Sequence, residues 1–406
     1  MDIGREPTHQ ALFTPLGLWS GWIHSTGSGW MWQFAEAARS QHFTQCYELF
    51  QQAIKALGTP AFDLAQVEFE GSSMPVSESV VMETEFCRLR RFSCKRGRSG
   101  RTARSILLCA PLAGHHAVQM REVVQWLLPH ADVYVSDWVN ARDIPQTAGD
   151  LHLDDVVLTL QHFMVGLKPA ELDVLAVCQA TVPALAAAAR LVAAGYPEPR
   201  SLVLLGGPID PRRNPTPLTR MAGSLPPSWL DALGTHIVPS GYRGSGRRVY
   251  PGFLQYPSLM IWQPERPFLL LFDYIQSHGN GDPEAAREAE RSIAHYGAML
   301  DMPAEFILDT LRVVFQQTLL AKGIWRVAGS PVRPDQLRET RLLTIEGSRD
   351  TISGVGHTHA AHGLCVGVPA ERRRRLTIAG CDHYGLFGGP TWRTAVYPVV
   401  HDWLVG

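Results

Sequence analysis

Cys178 is the residue of this sequence whose surroundings best suit nucleophilic chemistry. It directly follows the apolar run Leu172–Val177 and precedes an alanine-rich segment, so a strand is expected to lead into a helix with almost no loop. A nucleophile on so sharp a turn needs small residues two positions before and two after it, because the strand and helix backbones come close together. Ala176 and Ala180 hold those positions, where glycine is usual. The spacing therefore predicts a nucleophilic thiol at the apex of the turn.

The helix expected after Cys178 strengthens this prediction. Its N-terminal N–H groups and its dipole point toward the sulfur and favour the thiolate, which is the nucleophilic form of cysteine. The backbone N–H of Gln179 is expected where one half of an oxyanion hole belongs. The alternative interpretation is a structural cysteine, since a free cysteine packs as a small hydrophobic residue.

An acid and a base follow Cys178 along the chain. The apolar run Arg341–Glu346 leads to Asp350, and the later run Leu376–Ala379 leads to His383 on a loop. Nucleophile, acid and histidine in this chain order are typical of α/β-hydrolases. His383 would deprotonate the thiol and later protonate a leaving alkoxide, and Asp350 would orient the imidazole ring.

Two other carboxylates are alternatives to Asp350 as the acid. Asp210 follows the preceding strand, where some hydrolases carry their acid. Asp382 adjoins His383 in the sequence, but consecutive side chains point apart, so Asp382 is expected to be a poor partner.

The loop Ala110–His116 is expected to supply the second oxyanion donor. A backbone N–H of Leu112 or Ala113 would fill this role, and an ordinary turn punctuated by proline and glycine is the alternative interpretation. His115 and His116 could act as bases, but we expect them to shape the loop or the substrate pocket.

The elements that must position these residues form an α/β pattern. Short apolar runs alternate with helical segments, which is typical of a mostly parallel sheet covered on both faces. The first three predicted strands have the alternating pattern of a sheet edge. The predicted strands are Ala65–Glu70, Ser79–Thr84, Phe86–Cys94, Ser105–Cys109, Asp132–Trp138, Leu172–Val177, Ser201–Leu205, Arg341–Glu346 and Leu376–Ala379. The predicted fold class is therefore an α/β-hydrolase fold.

Three parts are expected along the chain. Residues 1–100 would form an N-terminal extension of aromatic-rich helix and edge strands, and residues 101–210 and 335–406 the hydrolase core. Residues 211–334 break the strand–helix rhythm and are first rich in proline and aromatics, then helical over about Ala285–Leu320. We expect this insertion to be a cap or lid over the carboxyl edge of the sheet, where open α/β sheets bind their ligands.

Composition excludes several classes of protein. With 406 residues, 45% of them hydrophobic, the chain can bury a large core, and its formal net charge of −1 offers no footprint for nucleic acid. The basic cluster Arg372–Arg375 is interpreted as a solvated rim. No apolar run reaches the roughly 18 residues of a membrane span, and the N-terminus lacks a secretory pattern.

Cysteine usage points to a reduced, cytoplasmic protein without a structural metal. The seven cysteines are odd in number, widely spread and free of zinc-binding spacing. No cofactor is expected, and the sequence leaves the oligomeric state open.

Six separated segments together resemble the intracellular polyhydroxyalkanoate depolymerases, and the resemblance spans nearly the whole chain. In chain order the segments are CAPLAGHHA, VYVSDWVNARDIP, AVCQATVP, GGPIDPRRNPTP, GRRVYPGFLQ and CDHYGLFGG. Carried over residue by residue, the resemblance implies Cys178 as nucleophile, His383 as base and Asp350 as acid.

The resemblance also implies a substrate, a partner and a location. The substrate would be the hydrophobic polyester of 3-hydroxybutyrate, degraded in storage granules of the cytoplasm to oligomers or monomer. The granule surface would then be the partner of the protein. Residues expected to contact the polymer are His116, Trp138, Tyr250, Phe253 and Trp262, and core packing is the alternative role for the aromatic ones.

Three other functions remain open at this point. A polyester synthase uses the same chemistry but typically has glycines flanking its cysteine, which Ala176 and Ala180 do not supply. A granule-coating protein would bind polymer without cleaving it, although the order of the three catalytic residues argues against this. A depolymerase could also pass the acyl group to coenzyme A instead of water, because both routes share the acyl-enzyme.

Overall fold

A nine-stranded sheet forms the centre of the protein. The computed structural model describes residues 60–94, 104–255 and 265–405, so the predicted N-terminal helical segment lies outside the described residues. The strands are β1 (Gln66–Phe69), β2 (Ser72–Glu83), β3 (Cys87–Cys94), β4 (Arg104–Cys109), β5 (Ala131–Trp138), β6 (Leu172–Val177), β7 (Ser201–Leu205), β8 (Arg341–Gly347) and β9 (Arg373–Ile378).

The strand order identifies the fold. It runs β1-β2-β3-β5-β4-β6-β7-β8-β9. The pairs β1–β2, β2–β3 and β3–β5 are antiparallel, and all later pairs are parallel. An antiparallel edge that leads into a parallel sheet with the β5–β4 exchange is the arrangement of α/β-hydrolases. The predicted fold class is confirmed.

Helices cover both faces of the sheet. Successive residues of β6 point to opposite faces, with Ala176 in one hydrophobic core and Val177 in the other. Helices α2 and α3 pack on the first face, and α1 and α8 on the second. The helices are α1 (Arg121–Leu127), α2 (Leu153–Gly166), α3 (Thr181–Ala193), α4 (Pro217–Ser224), α5 (Glu265–Gly279), α6 (Pro283–Gly297), α7 (Ala304–Thr310) and α8 (Tyr397–Val405), with short turns at Pro227–Trp229, Ala361–Leu364 and Gly389–Thr391. Over the described part of the chain, no helix combines the length and the apolarity needed to cross a bilayer.

Two strands begin earlier than their sequence patterns indicate. The first is β2, which the sequence pattern predicts over Ser79–Thr84 and which begins at Ser72. The second is β9. The apolar pattern predicts Leu376–Ala379, whereas β9 begins at Arg373 and takes in most of the basic cluster. This strand lies at the edge of the sheet and pairs only with β8. Because one side of an edge strand faces solvent, arginines there cost little and discourage pairing with another chain.

The segment between β7 and β8 forms a separate layer of short elements. It contains α4 to α7 and a small antiparallel sheet of His236–Ile237, Arg248–Tyr250 and Met302–Pro303. The predicted helix over about 285–320 is divided here, because the chain between α6 and α7 is extended and pairs with other loops. From here on, the insertion means the whole segment between β7 and β8, which includes the residues 211–334 expected from the sequence.

The insertion is bonded to loops at the carboxyl edge of the sheet. The N–H of Leu300 donates to the carbonyl of Gly114 after β4, at 2.6 Å. After β5, the N–H of Ala141 donates to the carbonyl of Asp301 at 3.0 Å, and the Asn140 side chain accepts from the Asp301 N–H at 3.2 Å. These bonds attach the insertion to loops at the same edge of the sheet as the turn of Cys178.

Arg247 provides a second attachment between the insertion and the core. Its side chain is only 3% exposed. The guanidinium donates to the backbone carbonyls of Ile144 at 3.0 Å, Pro145 at 2.6 Å and Gly149 at 2.7 Å. A planar donor with several N–H groups is needed to reach three carbonyls at once.

We expect Arg247→Lys to lower the free energy of unfolding by about 1–3 kcal/mol, because an ammonium cannot satisfy all three buried carbonyls. Urea denaturation followed by tryptophan fluorescence measures this loss. Arg243→Lys on the exposed surface of the same loop is the matched control and should change little. Equal midpoints for the two variants would show that the Arg247 attachment does not stabilise the fold.

Candidate active site

Cys178 stands on a strained turn between β6 and α3. Its φ is +54°, a left-handed conformation that is uncommon for residues other than glycine. The turn continues as one 3₁₀ turn, Cys178–Ala180, before α3 begins. The hydroxyl of Thr181 donates to the Cys178 carbonyl at 2.8 Å and holds this geometry. The thiol is partly exposed, so a substrate can reach it.

Two glycines that follow β7 leave room for the side chains of Thr181, His383 and Leu386. The sequence analysis assigned no role to either glycine. Gly206 has a φ of +55°, and a Cβ there would lie 2.6 Å from the Leu386 side chain and 3.4 Å from Cε1 of His383. A Cβ on Gly207 would lie 1.7 Å from the hydroxyl of Thr181. A side chain at Gly207 would displace Thr181, and at Gly206 the positive φ and the Leu386 side chain favour glycine.

His383 and Asp350 form a buried hydrogen-bonded pair. Nδ1 of His383 lies 2.7 Å from Oδ2 of Asp350, and the two side chains are 3% and 0% exposed. The other carboxylate oxygen of Asp350 accepts the backbone N–H groups of Ile352 at 2.8 Å and Ser353 at 2.7 Å. Both oxygens of the carboxylate are therefore occupied, which fixes its orientation toward the ring.

The pKa of the His383 imidazole depends on two neighbouring side chains, Asp350 and Cys178. Burial favours the neutral ring, but the Asp350 carboxylate and the nearby Cys178 outweigh this effect. Together they raise the pKa of His383 well above its ordinary value. The imidazolium form of His383 is consequently favoured beside Cys178.

Glu346 holds the loop that carries Asp350. This carboxylate at the end of β8 is 1% exposed. It accepts the backbone N–H groups of Gly356 at 2.7 Å, Thr358 at 2.7 Å and His359 at 2.8 Å. The sequence could have indicated this role of Glu346, because it is an acidic residue at the end of a mostly apolar strand. A buried carboxylate needs hydrogen-bond donors around it.

The alternative acids have other partners. Asp210 is bonded to Arg212 at 2.7 Å and to Arg213 at 3.4 Å. The Asp382 carboxylate accepts the N–H of Gly385 at 2.7 Å. Neither carboxylate has a hydrogen bond to His383 in the described residues.

The two residues expected to form the oxyanion hole lie at one cavity. Leu112 and Gln179 both line a narrow, mostly apolar cavity beside the turn, and Trp138 lines it as well. The indole N–H of Trp138 donates to the carbonyl of Ala110 at 3.1 Å, which supports the loop that carries Leu112.

Of the other residues expected to contact substrate, the structure describes the side chains of His116 and Tyr250. His116 donates its backbone N–H to Ala298 at 3.3 Å and, like Tyr250, does not line this cavity. Tyr250 ends a short strand of the insertion. Trp262 lies outside the described residues, and for Phe253 only the backbone is described.

Comparison with known proteins identifies a family domain. Residues 206–406 match the family described as "PHB de-polymerase C-terminus". This range contains Asp350 and His383, and Cys178 precedes it. No curated protein matches the sequence.

Solved structures similar to this chain include three enzymes. A thioesterase of the prodiginine pathway from Streptomyces coelicolor has 13% identity and a TM-score of 0.42, covering 74% of this chain and 91% of its own. An enol-lactonase from Burkholderia xenovorans has 13% identity and a TM-score of 0.43, covering 84% and 100%. An esterase from Thermogutta terrifontis has 13% identity and a TM-score of 0.41, covering 84% and 96%. The strand order, and not these values, identifies the fold.

The cysteines of this chain differ sharply in their expected reactivity. Burial raises the pKa of Cys365 and of Cys381 to about 12, and burial also raises the pKa of Cys87 and of Cys109. These four thiols are therefore protonated and inaccessible at neutral pH. Cys178 is partly exposed and contributes to the raised pKa of His383.

We expect iodoacetamide at neutral pH to modify Cys178 at least about tenfold faster than the four buried cysteines, because thiolate character and access control alkylation. Peptide mass spectrometry over a time course measures the rate at each site. A Cys46→Ser/Cys94→Ser background removes the two remaining thiols, one outside the described residues and one partly exposed. Modification that spares Cys178 and proceeds at a buried cysteine would contradict the assignment.

Proposed function

We propose that this member of the PHB depolymerase C-terminus family cleaves the ester bonds of polyhydroxybutyrate through Cys178, His383 and Asp350. The family domain and the α/β-hydrolase fold make the chain an ester hydrolase. The observation that carries the finer proposal is the buried hydrogen bond between Asp350 and His383, whose pKa is raised in part by a cysteine on a left-handed turn.

The first half of the reaction would form an acyl-enzyme. The Cys178 thiolate attacks an ester carbonyl, and the N–H groups of Gln179 and Leu112 stabilise the negative charge that develops on its oxygen. Protonated His383 then donates its proton to the departing alkoxide as the carbon–oxygen bond breaks. The raised pKa of His383 supports this step, because the ring is charged when the substrate arrives.

The second half would release the product. Neutral His383 accepts a proton from water, and the hydroxide attacks the thioester carbonyl at the same oxyanion site. The carbon–sulfur bond breaks, the thiolate returns beside the imidazolium, and a 3-hydroxybutyrate unit or oligomer leaves. In both halves, the Asp350 carboxylate accepts the hydrogen bond from the Nδ1–H group of His383 and so fixes the orientation of the ring.

The insertion would act as the lid that favours polymer over short esters. It is bonded over the carboxyl edge of the sheet through Leu300 and Asp301. A polyester offers few polar groups besides its carbonyls, so apolar contact must provide most of its binding. Tyr250, Phe253 and Trp262 are proposed to contribute here, at the surface of polymer granules in the cytoplasm.

We expect Cys178→Ala to reduce product release from amorphous polyhydroxybutyrate granules by at least about 10³-fold, because no other group can form the acyl-enzyme. Cys178→Ser should keep little activity, since a hydroxyl is much harder to activate. Chromatography of released acids, with and without coenzyme A, measures hydrolysis and thiolysis separately. An unchanged melting temperature controls for folding.

Three outcomes of this experiment would point away from hydrolytic depolymerisation. Degradation by Cys178→Ala at the rate of the unmodified protein would refute the nucleophile. Acyl-coenzyme A as the main product would assign thiolysis. Granule binding without any product release would indicate a coat protein.

We expect Asp350→Asn to move the alkaline limb of the pH–kcat/KM profile to lower pH and to lower kcat by about 10²–10⁴-fold. The carboxylate charge stabilises the imidazolium, so its removal lowers the pKa of His383 and the acid form is lost earlier as pH rises. Asp382→Asn is the matched control, because Asp382 neighbours His383 in sequence but is bonded to Gly385. Identical alkaline limbs for Asp350→Asn and the unmodified enzyme would contradict the pairing.

A further inference from the structure

The loop that carries Asp350 directs its backbone N–H groups at three buried acceptors. Two of them are the carboxylates of Asp350 and Glu346. The third is the imidazole of His357, whose Nδ1 accepts the N–H of Gly354 at 3.1 Å and lies 3.5 Å from the Ser353 hydroxyl. His357 is completely buried. Of these three acceptors, His357 is the one whose ordinary pKa lies near neutrality.

The far end of this loop is fixed to the chain that leaves β7. The N–H of Asp210 donates to the His357 carbonyl at 3.1 Å. The Thr358 hydroxyl accepts the N–H of Gly207 at 2.8 Å and donates to the Gly207 carbonyl at 3.0 Å. Because the backbone of His357 is held at this end, its ring extends from a fixed point toward Gly354.

Gly354 links the imidazole to the neighbourhood of Asp350. It follows Ser353, whose N–H donates to the Asp350 carboxylate at 2.7 Å. A Cβ on Gly354 would lie 2.3 Å from the Asn214 carbonyl oxygen and 3.1 Å from Nε2 of His357. The backbone is therefore confined between the ring and the segment after β7, so a displacement at the ring is passed to the adjacent N–H of Ser353.

The bond from the Gly354 N–H requires a neutral imidazole. An imidazole nitrogen accepts a hydrogen bond only without a proton, and the charged ring carries protons on both nitrogens. Burial favours the neutral ring and lowers the pKa of His357, although nearby carboxylates act to raise it. The groups that face the ring are Glu346 on β8, Asp350 on the loop, the Asn214 backbone, and Asp210, which is itself bonded to Arg212 and Arg213.

We propose that neutral His357 is a positioning residue for the Asp350 carboxylate, acting through the N–H groups of Gly354 and Ser353. The proposal rests on the proposed function, in which Asp350 orients His383. A proton on Nδ1 of His357 would face the N–H of Gly354, so two donors would meet and the loop would shift around Asp350. Because the pKa of His357 is lowered in the folded protein, the ordered loop is favoured above the ordinary histidine pKa and loses that advantage as pH falls through the lowered value.

The test compares kcat/KM for p-nitrophenyl butyrate across pH in the unmodified enzyme, His357→Gln and His357→Leu. Glutamine offers an uncharged acceptor oxygen to the Gly354 N–H, and leucine offers none. We expect His357→Leu to lower kcat/KM at neutral pH by about threefold to tenfold, the effect of one hydrogen bond. His357→Gln should retain most of the neutral activity and stay active to lower pH, because glutamine does not titrate.

His362→Gln is the matched control. His362 is a second buried histidine in the segment after β8, but its Nε2 is bonded to the Thr344 hydroxyl at 2.9 Å instead of to a loop N–H. This substitution should leave the acid limb of the pH profile where it is in the unmodified enzyme.

NMR titration of the histidine rings gives a readout that needs no turnover. If His357 positions Asp350, the pKa of His383 falls in His357→Leu, because a displaced carboxylate stabilises the imidazolium less. The same pKa should be unchanged in His357→Gln. The His383 resonance is identified by its absence from the spectrum of His383→Gln.

Two results would overturn the proposal. One is an acid limb of His357→Gln that coincides with that of the unmodified enzyme, and the other is an unchanged pKa of His383 in His357→Leu. If the chain cleaves no ester, the proposed function fails while the NMR titration still decides the positioning role. If His357→Leu does not fold, the acid limb of His357→Gln decides alone.

Discussion

A carboxylate and an imidazolium are stable in a protein interior only when the polar atoms around them are hydrogen-bonded, and this constraint shapes the carboxyl edge of the sheet. Asp350 and His383 are both buried, and the second oxygen of Asp350 is bonded to two backbone N–H groups. Glu346 in turn holds the loop that follows Asp350. Removing the Asp350 carboxylate would leave His383 without its partner, and removing Glu346 would leave the N–H groups of the loop after Asp350 without their acceptor.

Cys178 meets a different constraint, which is steric. A cysteine at φ +54° is strained, and the surrounding packing must hold it there. The Thr181 hydroxyl and the absence of side chains at Gly206 and Gly207 do this. Ala176 and Ala180, two positions before and after Cys178, are both buried in the core.

The insertion is bonded to two loops at the carboxyl edge of the sheet. Leu300 is bonded to the loop after β4 and Asp301 to the loop after β5, and Arg247 is bonded to carbonyls that follow in the second loop. The proposed ester chemistry therefore belongs to the loops of the sheet, and the proposed substrate preference to the insertion.

Local sequence determined the fold class, the strand-to-helix turn at Cys178 and the position of nearly every core strand, because apolar periodicity and small residues act over a few neighbours. The apolar pattern did not locate the start of β9, because an edge strand tolerates the arginines that a buried strand excludes. Only the tertiary structure decided which distant groups meet. Arg247 reaches carbonyls 98 to 103 positions away, and no local pattern records such pairings because they depend on how loops and layers close over one another.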